Sequence, residues 1–226
     1  MTGLSETERV ALRPELPVLP PQMRSLPVDA RGYPVPWFVQ WIDGVPDHRI
    51  VDSRKFPLAI RGRRCWICGK PLGHQLSTFV VGPMCAVNRI SSEPPSHEAC
   101  ATFAAKACPF LTRPHAKRRD ANLPEDSTEP AGVMLKRNPG VTLLWTCRKY
   151  TVLPQRGGGV LFDIGHPVRV HAFAEGRRAT SLEIAESIES GLPLLVLGAQ
   201  LQDNPEAAVA NLSRVTGEAL RLLGVQ

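Results

Sequence analysis

Acidic side chains are nearly missing from the middle of this chain: between residues 61 and 119 only Glu93 and Glu98 oppose ten lysines and arginines. Residues 1 to 60 hold seven of each sign and residues 120 to 226 hold ten basic against twelve acidic, so the net charge of +6 originates in the middle. Long apolar runs are missing too. No stretch approaches the roughly 20 residues that a bilayer-spanning helix needs. Glu6 and Glu8 stand where an export signal carries lysines before an apolar core, which makes a cytoplasmic protein the expectation. Six cysteines in 226 residues are too few for a disulfide scaffold. A phosphate-binding fingerprint is absent as well, because Gly157-Gly158-Gly159 leads into no G-x-G-x-x-G or G-K-[ST] pattern and reads as a hairpin loop.

What is present is a pair of ligand-like doublets. Cys65-Trp66-Ile67-Cys68-Gly69 is followed by His97-Glu98-Ala99-Cys100, with 28 residues between Cys68 and His97. Two such pairs supply two edges of the tetrahedron that zinc prefers, which makes Cys65, Cys68, His97 and Cys100 the expected metal ligands and Zn2+ the expected cofactor. Gly69 permits the positive φ of a knuckle turn that aims both sulfurs at one point. Pro94 and Pro95 precede an alanine-rich stretch with Ser96 as the expected N-cap, which sets His97 and Cys100 three apart on the first turn of a helix. Ser77 to Val81 is short, β-branched and expected to be a strand.

Cys85 and Cys108 leave the ligand count open. Cys85 is the leading substitute for a member of the set, and either cysteine can instead pack as a small apolar residue. Four thiolates for an iron-sulfur cluster are also available among Cys65, Cys68, Cys85, Cys100 and Cys108. The histidine and the C-x-x-C-G turn favour zinc.

Knuckle, strand pair, then helix with two ligands at its start resembles the treble-clef family of zinc modules. The resemblance covers residues 60 to 110 and implies a metal role for the four ligands, with no activity attached. Cys65 to Gly69 and Gly82-Pro83-Met84-Cys85, followed by Asn88-Arg89 and Glu93 to His97, also resemble an uncharacterised group of bacterial and phage-type proteins, which implies only that these residues act as a unit. HNH nucleases build a catalytic metal site on a similar core. Here the strand after the knuckle offers His74 without an acidic neighbour and Asn88 as the one middle asparagine, which weakens a nuclease reading.

The remaining chain divides by composition. Residues 1 to 36 form a proline-rich extended arm whose Leu16-Pro17, Leu19-Pro20 and Leu26-Pro27 steps are expected to lie as a strap on the body. Residues 37 to 112 join an aromatic hairpin to the zinc module. Val35, Trp37, Val39 and Trp41 alternate as on a strand, Asp43-Gly44 marks a turn, and Asp47 to Asp52 reads as the second strand. Core packing is the expectation for Trp37 and Trp41, with stacking on bases as the other reading. Residues 113 to 139 form a polar connector, either a plain linker or a loop that closes on a ligand.

Residues 140 to 226 read as an α+β part. Strands are expected over 141–152, 160–164 and 168–173, then a helix opened by the capping box Thr180 to Glu183 and closed at Gly191 and Pro193. The last helix begins at Asn204-Pro205 and runs to Leu223, with an apolar stripe that faces the core or a homodimer partner. The fold class is therefore α+β, a small zinc-stabilised treble-clef-like module between an arm and a C-terminal α+β part. Clustered Arg61, Arg63, Arg64, Lys117, Arg118 and Arg119 imply a DNA or RNA partner. The expected function is regulatory, non-catalytic nucleic-acid contact through a zinc module, with a metal-dependent nuclease and a protein-interaction adaptor as alternatives.

Overall fold

Thr142 to Cys147 is buried at every position, so this strand is covered on both faces rather than one. The structure, a computed structural model, describes residues 10–114, 116–117, 121, 123, 131, 137–156 and 158–225. Among them it is a mixed α+β protein with several sheets and five α-helices. The strands are β1 (Val39–Ile42), β2 (Val45–Val51), β3 (Ser77–Val81), β4 (Ile90–Ser91), β5 (Thr142–Cys147), β6 (Thr151–Pro154), β7 (Val160–Asp163), β8 (Pro167–Ala174) and β9 (Arg177–Arg178). The helices are α1 (Lys55–Arg61), α2 (Pro83–Asn88), α3 (Glu98–Ala107), α4 (Ser181–Gln200) and α5 (Pro205–Leu222).

β5 lies between β3 and β8 in an antiparallel sheet of order β3-β5-β8-β9. Its alternate side chains serve two layers, as strand geometry requires. Leu143, Trp145 and Cys147 join Phe79, Phe162, Ile164, Ile184 and Ile188 in the larger core. Leu144 points the other way, onto Ala101 and Ala105 of α3 and onto Phe173. Buried Thr146 satisfies its hydroxyl against Thr78 on β3 at 2.9 Å. Trp145 Nε1 donates to the carbonyls of Ile164 and Gly165, both at 3.2 Å, and the Arg89 guanidinium lies 4.5 Å from its ring centroid.

The stretch expected as one strand over 141–152 is two, β5 and β6, which enter different sheets; β6 pairs with β7, and β7 with β4. At the hinge between them a side chain on Gly165 (φ +59°) would stand 2.6 Å from the Lys149 carbonyl, so only glycine fits there. The aromatic hairpin is shorter than alternation predicts. Pro34 and Pro36 have no N–H to give a ladder, and β1 begins only at Val39. Asp43 (φ 48°) and Gly44 (φ 79°) make the turn of two left-handed residues whose twist matches a tight hairpin. Trp37 packs edge-on against Trp66, whereas Trp41 is 39% exposed.

The helix expected to close at Gly191 and Pro193 instead continues to Gln200. Pro193 forfeits one backbone hydrogen bond, but packing holds the helix: Gly191 is buried against Met84, whose Sδ would be 2.5 Å from an added Cβ. Its opening is as expected, with the Glu183 amide donating to Thr180 Oγ1 at 3.2 Å and the Thr180 amide donating to Glu183 Oε2 at 2.7 Å. At α5, the Ala207 amide donates to the Asn204 side chain at 3.1 Å. In the N-terminal segment, Met23 of a single 3-10 turn is buried with Leu16, Leu19 and Leu26 against Ile67, Leu72 and Phe103. Most of the polar connector, including Arg118 and Arg119, lies outside the described residues.

Thr180→Ala removes one arm of the box and is expected to cost about 1 kcal/mol, which a thermal melt reads as a fall of about 2–4 °C. Glu183 carries a pH signature of the same motif: hydrogen bonds from Arg177, then from the Thr180 backbone, pull its pKa from 4.5 to about 2. Because the folded value is the lower one, its stabilisation is complete above about pH 4.5 and is lost as pH falls towards 2, weakly because the pair faces solvent. Acid titration of Glu183→Gln should lack that component.

Candidate metal centre

Two backbone turns build the site. In the first, the Gly69 amide donates to the Cys65 carbonyl and the Cys65 amide to the Lys70 carbonyl, both at 2.8 Å, which curls Cys65 to Cys68 back on itself. Gly69 sits at φ +72°, and the Trp37 ring covers it so closely that an added Cβ would be 2.6 Å from Trp37 Cγ. The Trp37 amide in turn donates to the Ile67 carbonyl at 2.7 Å. Trp66 fills the back of the turn, stacked on Phe38 at 5.0 Å and edge-on to Phe56 at 5.4 Å.

The second turn is the start of α3. Its N-cap is His97 rather than the expected Ser96, because both backbone groups of Ser96 are taken by Thr78 on β3, at 3.1 and 2.7 Å. His97 keeps an extended backbone (φ −64°, ψ 142°) that swings its ring out of the helix and over the cysteines. Cys100, three residues on, faces the same way from the first helical turn. The Trp66 amide donates to the Pro95 carbonyl at 3.1 Å and joins the two turns directly.

The ligand atoms of Cys65, Cys68, His97 and Cys100 lie within 4.8 Å of one another. His97 Nδ1 is 3.4 Å from Cys68 Sγ and 3.8 Å from Cys100 Sγ. Tetrahedral coordination at about 2.0–2.3 Å gives edges of about 3.3–3.8 Å, so the spacing fits a bound ion. None of the cysteines is in a disulfide, and these donors can hold a metal. With Nδ1 turned to the sulfurs, Nε2–H donates to the Pro71 carbonyl at 3.0 Å and fixes both tautomer and ring plane. Pro71 carries no sequence signal for that role, since any residue supplies a carbonyl.

Electrostatics favour a cation at this point. Cys65 receives N–H contacts from Cys68 at 3.5 Å and His97 at 3.3 Å. Hydrogen bonds from Cys100 and Cys68 hold its thiol far below the ordinary range, and hydrogen bonds with Cys65 and Cys68 push Cys100 far above it. Three thiols this close cannot all ionise unless a positive charge sits between them. Cys65 and Cys100 are fully buried and Cys68 nearly so, which leaves little solvent to screen their charges from one another.

Cys85 and Cys108 are not in the group. Cys85 belongs to α2 and packs against the larger core, where burial pushes its thiol up to about 11. Cys108 caps the far end of α3, and burial raises its pKa too. Neither substitution nor a four-thiolate cluster is therefore available among the described residues. His74 is exposed in the loop before β3, and Asn88 accepts from the Ile90 amide at 3.0 Å, so both stand apart from the donors.

Of the expected basic residues, Arg61, Arg64 and Lys117 are exposed. Arg63 is half-buried at φ 45°, with Nη2 donating to the Gly73 carbonyl at 3.5 Å and its guanidinium 6.0 Å from the Tyr150 ring. Gly69→Ala combines left-handed strain with a collision against a tryptophan that cannot retreat, and is expected to cost on the order of 2 kcal/mol or more. Calorimetry and metal content would read this together, as a lower melting temperature and weaker metal retention. No family model matches the chain, nor does any curated protein or solved structure.

Proposed function

We propose that the protein binds one zinc ion through Cys65, Cys68, His97 and Cys100 and uses the basic region around that ion to contact DNA or RNA without catalysing a reaction. The observation that carries the zinc reading is the closed set of three sulfurs and one imidazole at tetrahedral spacing, a soft donor set that zinc favours over magnesium or calcium. The knuckle followed by a helix with His97 at its cap and Cys100 in its first turn supports a treble-clef-like order of ligands, although the expected strand pair between them is not formed, since β3 pairs with β5 and β4 with β7. Four protein ligands fill the zinc shell and leave no position for a reactive water, which supports a structural ion over a nuclease. Zinc here supplies folding energy, on the order of 10 kcal/mol, by drawing the knuckle and the α3 start together.

Support for nucleic-acid contact is the charge distribution. Arg61, Arg63 and Arg64 precede the knuckle and Lys117, Arg118 and Arg119 follow α3, within a region of ten basic and two acidic residues. Three thiolates around a divalent ion leave a net negative charge inside, and the excess of arginine exceeds what is needed to balance it.

Elemental analysis of purified protein is expected to give one zinc per chain, and Cys65→Ser to abolish it with loss of ordered structure around α3. A different transition metal at full occupancy would overturn the zinc assignment. Binding to nucleic acid is expected to weaken on the order of a hundredfold between about 50 and 200 mM salt if about four phosphates are neutralised. Passage through heparin or DNA resin at low salt without retention would end the nucleic-acid reading.

A further inference from the structure

Some arginines of this protein are held by carboxylates and others are not, and those around the knuckle are among the others. Arg31, Arg49, Arg54, Arg169 and Arg177 are each held by a carboxylate at 2.5 to 2.9 Å. Among the described residues, Arg61, Arg63, Arg64, Arg148 and Lys149 form no ion pair. Those five come from segments about 85 residues apart in sequence, and the fold brings the segments together. The Arg63 guanidinium lies over Tyr150, the residue that follows Lys149 in the β5–β6 turn. Arg148 and Lys149 are both exposed. Asp163, which pairs with Thr151 across the β6–β7 ladder, is the acidic residue beside this turn, and its Oδ1 accepts from the Gly165 amide at 2.9 Å.

Two of the aromatic side chains nearby, Tyr150 and Trp66, are not available to a base. Tyr150 is half-buried, edge-on to Phe79 at 5.4 Å and to Phe162 at 6.1 Å, and Arg63 covers it. Trp66 is buried in its box with Trp37, Phe38 and Phe56. Cations beside covered rings neutralise phosphates more readily than they let an unpaired base stack.

We infer that Arg148 and Lys149 complete the knuckle's basic surface, so that one composite face, clasped by the Arg63–Tyr150 contact, takes the phosphate backbone of duplex nucleic acid irrespective of sequence. The inference rests on the nucleic-acid reading above and assigns a role in it to the C-terminal α+β part. Unpaired cations gain most from this partner, since each phosphate they meet releases a condensed counterion and no internal ion pair has to break first.

The test is fluorescence anisotropy on the full-length, metal-loaded protein with two duplexes of unrelated sequence and a single-stranded oligothymidine, over a range of salt. Wild type is expected to bind both duplexes within about twofold of each other and the single strand more weakly. Arg148→Glu with Lys149→Glu should lower duplex affinity at least tenfold, and Arg148→Ala with Lys149→Ala should reduce the log–log salt slope by about two. Both positions are exposed, and unchanged zinc content and melting temperature would show that the variants fold. If Arg61→Glu with Arg64→Glu abolishes binding while both double variants at 148 and 149 bind like wild type, the composite face is wrong and nucleic-acid contact stands. Tighter binding of the single strand would overturn the backbone-only assignment. Failure of wild type to bind any of the three probes would overturn this inference together with the reading beneath it.

Discussion

Two turns of backbone, nearly thirty residues apart in the chain, must meet so that three sulfurs and one ring nitrogen share a space of a few ångströms. Thiolates repel, and burying them is costly unless a cation compensates. Much of the surrounding structure answers that requirement. The knuckle is curled by its own amides, Trp37 closes over Gly69, and the Thr78–Ser96 bridge fixes the approach to α3. The Trp66 amide then ties one turn to the other through Pro95.

That local requirement is linked to the largest sheet through β3 and α3. β3 holds Ser96 by its backbone on one edge and pairs with β5 on the other. α3 carries Cys100 towards the metal centre, while Ala101 and Ala105 pack on Leu144 of the same sheet. Small residues on that helix face permit close approach, and the ligand geometry inherits the rigidity of a strand covered on both sides. The hydrophobic core and the candidate metal site are thus joined through α3 and β3.

Charge follows a separate logic. Ion pairs anchor the hairpin segment and the start of α4, where Asp29, Asp47, Asp52 and Glu183 each hold an arginine. Among the described residues, the cations around the knuckle have no such partners, and one of them, Arg63, instead lies over an aromatic ring at the edge of the other core. The balanced regions are ones where the fold satisfies itself. The unbalanced one faces outward.

Sequence alone determined what depends on neighbours a few residues away. The doublets at Cys65 and His97, the strand at Ser77 to Val81, the Asp-Gly turn, the capping box at Thr180 and the Asn-Pro start of α5 were legible because each is a matter of local stereochemistry or spacing. What only the tertiary structure decided was which side chains face each other. Cys85 reads as the leading substitute for one of the four ligands, but α2 turns it into the larger core. Pro193 reads as a stop until Met84 against Gly191 gives the helix a reason to continue. The strand-like run after Val141 splits because its halves pair with partners from distant parts of the chain. Propensity acts over one turn of backbone, whereas burial is set by whatever element arrives on the opposite face, and no window of sequence contains that element.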